Sequence, residues 1–271
     1  MSDDSNIKLT RYLYNKTEAK QCLFLSLLDH NIDEALFWGY ELYYSGFEVD
    51  TFQFLINIVE TIYLESCTFI TEYTNFIVDN WNKNNSPILF GNFIATLCTK
   101  QYDLKKFCKQ YLKIDGEQNH QRDKNLLLVQ LDDEYTEKYK TVDNNQPESV
   151  LKEKCLYDVK KEINRLFNIS LPDYEELTNL YFNKWLYIAS YTPIWKERIE
   201  QYNGVVNEKE NKITFMNEDD EQEFFNKYNY EPDEQPNETM EKIIGKNNID
   251  YYTIKDFCKK YHFKIKTKIR K

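Results

Sequence analysis

Apolar residues recur at helical spacing through the first 113 positions, and helix-start and helix-stop residues separate the runs. Thr17 is placed to cap a first helix reaching about Asp29. Asn31 does the same for a second, IDEALFWGYELYY, and Ser45-Gly46 puts glycine at its C-terminal end. Asp50 and Gln53 have the spacing of a capping box, with Val49 set to staple onto Phe54. The third helix carries Phe52, Leu55, Ile56, Val59, Ile62 and Tyr63 on one face. The second differs, because Ile32, Leu36, Phe37, Trp38, Tyr40, Leu42 and Tyr43 run nearly all round it, which predicts a buried central helix. Further helices are predicted over 68–81, over 87–99 with Ser86 as cap and Pro87 first, and over 104–112.

Beyond this point the pattern loosens. The segment IDGEQNHQRDKN, 114–125, has loop composition and no period, which sets a boundary. Leu126–Leu131 is a short apolar run that fits a strand or the start of a helix. After the polar gap 143–147, Leu151, Cys155, Leu156, Val159, Ile163, Leu166 and Phe167 form one stripe opposite Lys152, Lys160, Lys161 and Arg165, predicting a long helix. Pro172 starts another through about Ala189, and Thr192-Pro193 a third that Asn203-Gly204 stops. Residues 205–215 read as a hairpin with a polar tip. Phe263, Ile265, Thr267 and Ile269 alternate with Lys264, Lys266, Lys268 and Arg270, the period of a strand with one cationic face. The expected fold class is mainly α, with helical hairpins in a bundle, HEAT-like or an irregular array, and a small β element near the C-terminus. Three stretches follow: a helical hairpin domain over 1–113, a second helical subdomain over 126–204, and an acidic hairpin and helix with the basic strand over 205–271. No internal repeat of fixed period occurs.

Composition narrows the chemistry. The chain has 22 Tyr, 17 Phe and four Trp against six Gly, and each glycine stands alone, so neither a P-loop nor a dinucleotide fingerprint can be drawn. A net charge of −10 repels nucleic acid and anionic lipid from the molecule as a whole. Its basic residues are 30 Lys and five Arg, an inventory poorly suited to base-specific readout. Six scattered cysteines without a C-x-x-C point to reduced thiols in a cytosol-like compartment. The start MSDDSNIK is acidic where a signal peptide is basic, and the richest apolar stretch, 52–64, is interrupted by Gln53, Asn57 and Glu60. The expectation is a protein that is neither secreted nor membrane-bound.

Few residues invite catalysis. Of the three histidines, His30 sits in an interhelical turn, Glu117-x-x-His120 has half of a di-iron ligand pattern in a loop, and His262 lies four residues after Cys258 without a second ligand pair. The run Glu218–Glu221 suits a solvated helix N-terminus. Hence no catalytic residue, metal or cofactor is expected, and an enzyme of unfamiliar type would have to gather His30 or His120 with carboxylates. The strongest candidate is the basic C-terminus, where Lys259, Lys260, Lys264, Lys266, Lys268 and Arg270 could follow a phosphate backbone while Tyr261 and Phe263 stack on bases. The competing reading pairs this strand with the 205–215 hairpin and sets its lysines against the acidic 207–241 region. A peptide motif is also present: Tyr181, Leu186 and Tyr187 resemble the Tyr-x4-Leu-hydrophobic element that binds the translation cap-binding protein.

The segment LLDHNIDEALFWGYELYYSGFEVDTFQFLINI, with its Asn- and Lys-rich, Ala- and Arg-poor context, resembles uncharacterised proteins of nucleocytoplasmic large DNA viruses over about residues 17–65. Some AAA+ clamp-loader relatives carry a similar helical hairpin, but no ATPase motif accompanies it here. The resemblance implies a viral setting, in the host cytoplasm (viral factory) or virion, and no mechanism. Together these readings give a non-enzymatic interaction or scaffold protein with a protein partner, working through aromatic helical surfaces. The alternative is an accessory of the replication, transcription or translation machinery that uses the basic tail on nucleic acid.

Overall fold

Asn15, rather than Thr17, starts the first helix: its side chain accepts the N–H groups of Thr17 and Glu18, so α1 (Lys16–Leu28) begins a residue before the predicted cap. Asn31 caps α2 (Ile32–Leu42) as predicted, accepting the Glu34 N–H at 3.2 Å. Glu34 to Leu42 are buried without interruption, which makes α2 the predicted central helix. α1 covers one side of it and α5 (Pro87–Cys98) another, with Gly39 so close to α5 that a Cβ there would meet Ile94 at 2.3 Å. These positions belong to a computed structural model that describes residues 7–118, 127–140 and 146–266.

Gly46 takes a left-handed conformation (φ +84°) inside a π-helical turn, Tyr43–Phe47, and α3 (Glu48–Ile58) follows at once. The chain therefore re-enters the helix before Asp50, and the predicted capping box does not form. Asp50 instead pairs with Lys16 at 2.6 Å and Lys20 at 2.7 Å, while Val49 is exposed and staples nothing. The predicted stripe holds, with Phe52, Leu55, Val59, Ile62 and Tyr63 buried and Ile56 partly so. α4 (Ile70–Asn84) and α5 follow, the latter with Ser86 as cap and Pro87 at its first position. The 104–112 helix is α6 (Lys105–Phe107) continuing into a π-helical turn, Cys108–Leu112.

The predicted loop after it contains β1 (Gly116–Gln118). Of the run Leu126–Leu131, Leu126 lies outside the described residues. The rest is neither strand nor helix: it lies against α5, where Val129 N–H donates to Thr96 Oγ1 at 3.0 Å and Leu131 N–H to Asn92 Oδ1 at 2.7 Å. After a short α7 (Asp133–Glu137), the predicted long helix is broken. Only α8 (Val150–Lys154) is α-helical, Cys155 leaves helical geometry (ψ 87°), and 3-10 turns span Lys161–Phe167. Leu156, assigned to the buried stripe, is 57 % exposed.

Regularity then returns. α9 (Tyr174–Ala189) is capped by Asp173 just after Pro172, and α10 (Pro193–Gln201) ends where Asn203 turns left-handed. β2 (Val205–Asn207) and β3 (Lys212–Thr214) form the predicted hairpin. α11 (Glu218–Lys227), α12 (Asn237–Ile244) and α13 (Ile254–Lys260) lead to β4 (Phe263–Ile265). Among the described residues the molecule is mainly helical, with two small antiparallel strand pairs. β4 does not join the 205–215 hairpin. It pairs with β1, Gly116 opposite Ile265 and Gln118 opposite Phe263, and the Phe263 ring occupies the space a Cβ on Gly116 would need. All three stretches read from the sequence contribute to one buried hydrophobic cluster.

Residues 7–15, for which the sequence offered no element, form a tight buried loop at the centre of that cluster. Leu13 is left-handed at φ +66°. The carbonyls of Leu9, Thr10 and Leu13 accept from Thr192 Oγ1, Trp195 Nε1 and Tyr181 Oη at 2.6, 3.0 and 2.9 Å. Buried backbone acceptors need partners, and α9 and α10 supply them here.

Candidate functional site

The basic C-terminus is divided among several neighbours. Lys260 Nζ sits 3.0 Å from Asp29 at the end of α1, and Lys266 Nζ lies 3.6 Å from Glu117 of β1, directly across from Lys264. These carboxylates, and not the acidic 207–241 region, answer the cations, because β1 is the strand beside β4. Tyr261 and Phe263 are buried, so the expected stacking platform for bases is absent from the surface. Lys259 and Lys264 are exposed, and Lys268 and Arg270 lie outside the described residues.

The Tyr-x4-Leu element is a packing face of α9. Tyr181 is 1 % exposed and tied to Leu13, Leu186 is buried, and Tyr187 is buried with its hydroxyl on Glu208 at 2.7 Å. A partner could read this peptide only from an unfolded α9. His30 Nδ1 lies 2.6 Å from the Cys98 carbonyl, and its ring stacks on Tyr102. Cys258 is buried while His262 is exposed and left-handed, so the two do not converge. His120 lies outside the described residues. Among those residues no group of three His, Cys, Asp or Glu side chains could hold a metal. The six cysteines are free and buried, and burial pushes Cys98 and Cys108 up to about 12, which keeps them neutral thiols.

Two clefts stand out. One, of about 550 Å³, lies between residues 156–162 and 245–250 and is charged. Lys160 Nζ is 2.7 Å from Glu34, and Lys161 Nζ is 3.9 Å from the buried Glu18, whose carboxylate also accepts from Asn164 at 2.7 Å. Burial raises Glu18 and lowers Lys161, and each offsets part of the other's shift. These ions neutralise one another, so the arrangement fastens the 160–164 turn onto α1 and α2.

The other cleft, about 280 Å³, is walled by Phe24 of α1, Phe54 and Ile58 of α3, Phe107 and Tyr111 of the α6 turn, and Phe167. Phe24 and Phe107 lie 4.9 Å apart, Phe107 and Phe167 5.8 Å, and Tyr111 stacks on Phe107 at 5.1 Å while remaining 55 % exposed. Lys20, paired with Asp50, stands 5.3 Å from the Phe54 ring at the rim. Gln21 also lines the cleft. Its Nε2 donates to Lys160 O and Asn164 Oδ1, which fixes the amide and leaves Oε1 unpartnered. Apolar walls with a few polar groups suit an apolar side chain or small ligand. Phe54 lies off the stripe read from the sequence, and Phe107 and Phe167 are 60 positions apart, so no local signal joined them.

The chain matches no family model, no curated protein and no solved structure.

Proposed function

We propose that this protein is a non-enzymatic interaction module, and that a partner inserts an apolar side chain into the Phe24–Phe54–Phe107–Phe167 cleft. One observation carries the reading: a ring-lined, solvent-open cleft with Tyr111 exposed at its mouth, in a chain whose other aromatic helix faces are largely buried. Interfaces favour aromatic anchors in such pockets with a polar rim, here Thr17, Asn57 and Lys20, the last paired with Asp50. The viral resemblance sets the module in infected-cell cytoplasm or the virion. A photo-crosslinking residue at Tyr111 should capture one protein stoichiometrically in infected cells, the same residue at the exposed Val205, which does not line the cleft, should not, and Thr61→Arg at the cleft should abolish capture at unchanged stability. Equal capture from both positions, or none from either, would overturn the reading.

A nucleic-acid accessory role is the second reading, favoured by the exposure of Lys259 and Lys264. It expects salt-sensitive binding to single strands that is lost in Lys259→Glu/Lys264→Glu.

A further inference from the structure

The aromatic cleft contains a polar atom that its own neighbours leave unanswered. Gln21 of α1 lines the cleft and is 4 % exposed, and its Oε1 is sealed from solvent with no hydrogen-bond partner. A buried polar group in that state is rare and calls for an explanation. Turning the amide over does not supply one. Nε2 donates at 2.9 Å to both Lys160 O and Asn164 Oδ1, and Asn164 is itself set by donating Nδ2 to Glu18 at 2.7 Å, so a flip would press Oε1 against two acceptors. Neither Lys160 nor Asn164 lines the cleft, which leaves Oε1 as the branch of the amide on the cleft side. What is missing is a donor.

The walls select the kind of donor. No Asp or Glu lines the cleft, so an ammonium or guanidinium entering among Phe24, Phe54, Phe107 and Phe167 would lose its water with no carboxylate to replace it. A phenol or alcohol brings an acceptor oxygen along with its donor, and Nε2 of Gln21 is already engaged twice. An indole donates one N–H, accepts nothing, and is otherwise flat and apolar. The cleft, at about 280 Å³, falls just below the ~300–1,000 Å³ of small-molecule sites, which suits one side chain whose backbone stays outside. Because water does not reach Oε1, the entering ring must move a wall slightly, a side-chain adjustment common at interfaces. Tyr111 at the mouth is free to make it: its hydroxyl has no hydrogen bond among the described residues, and its ring rests on Phe107 alone.

We propose that the cleft receives a tryptophan side chain of a protein partner, with the indole N–H donating to Gln21 Oε1. This rests on the cleft being the partner's docking point and names what docks there.

The test titrates the full chain with indole, indene and para-cresol, following the Gln21 side-chain amide and the cleft residues by heteronuclear NMR. Indole should bind and shift the Gln21 amide. Indene, the same fused rings without the N–H, and para-cresol, the tyrosine side chain, should each bind at least tenfold more weakly. Gln21→Met removes the acceptor and should bring indole and indene to equal affinity. The comparison of probes on the wild type needs no variant and decides the matter should Gln21→Met fail to fold. The peptide captured by a photo-crosslinking residue at Tyr111 should contain tryptophan, and free indole should compete with its capture. Indene or para-cresol matching indole, or a captured peptide without tryptophan, overturns this inference and leaves the docking reading in place. No shift at the cleft from any probe also overturns it, and the absence of capture at Tyr111 overturns the docking reading with it.

Discussion

α2 and the 150–167 stretch look alike as patterns, each with apolar residues at helical spacing, yet only α2 is a continuous helix. The difference lies in where the backbone finds its hydrogen bonds. α2 closes its own ladder behind the Asn31 cap. In the other stretch Val159 N–H donates to Lys242 O at 3.0 Å, Tyr157 O accepts from Tyr14, Lys160 O from Gln21, and Glu162 O from the Tyr252 N–H. Distant elements hold those groups, and the helix gives way to them. Half of the side expected to be solvated is not: Lys160 and Lys161 turn inward to Glu34 and Glu18, while Lys152 and Arg165 stay exposed. An apolar stripe therefore identifies a helix where the backbone closes its own ladder, as in the capped α2 and the uncapped α3, and here it misidentified one where long-range acceptors competed.

The contrast can be broken from either side. Trp38→Ala in α2 should cost about 3–5 kcal/mol in urea unfolding, because the fully buried indole leaves a cavity in the central helix and its bond to Glu34 is lost. Lys161→Met should cost about 3 kcal/mol at pH 7 by leaving Glu18 buried and unpaired. That loss should shrink as pH falls, since burial already raises Glu18 and protonation removes the orphaned charge. A cost like that of a surface lysine would mean that the ion pair does not hold the 160–164 turn.

Smaller effects sharpen the same contrast. Glu231 lies in another irregular stretch, between α11 and α12, where burial and then the charges of Glu234 and Asp233 push it up from 4.5 to about 7. Its folded-state value lies above the ordinary one, so folding takes up a proton and stability falls as pH rises from about 4.5 to about 7. Glu231→Gln should flatten that fall by about 1 kcal/mol after allowance for solvent screening, read from urea midpoints across the window. Leu156→Ser should change stability by less than about 0.5 kcal/mol. A cost of about 2–5 kcal/mol would restore the continuous helix, in which Leu156 belongs to the core.

The binding candidates separate along the same line. The C-terminal lysines and the α9 tyrosine motif were visible as residues but not as sites. Phe263 faces inward once β1 lies beside it, and Tyr181 is anchored to Leu13 of a loop 168 positions earlier. The aromatic cleft carried no local signature. It gathers side chains from several separated segments, and period and spacing report only neighbours within a few residues.

Sequence alone determined the elements whose causes are local. Asn31 with α2, Ser86 and Pro87 with α5, the Phe52–Tyr63 stripe and the 205–215 hairpin all rest on caps, turns and periodicity acting over a few residues. Only the tertiary structure decided that β4 takes β1 as its partner, that 155–160 abandons the helix, and that the loop at 7–15 is buried. Those outcomes turn on which distant carbonyl, ring or carboxylate reaches a group first, and chain order does not encode that competition.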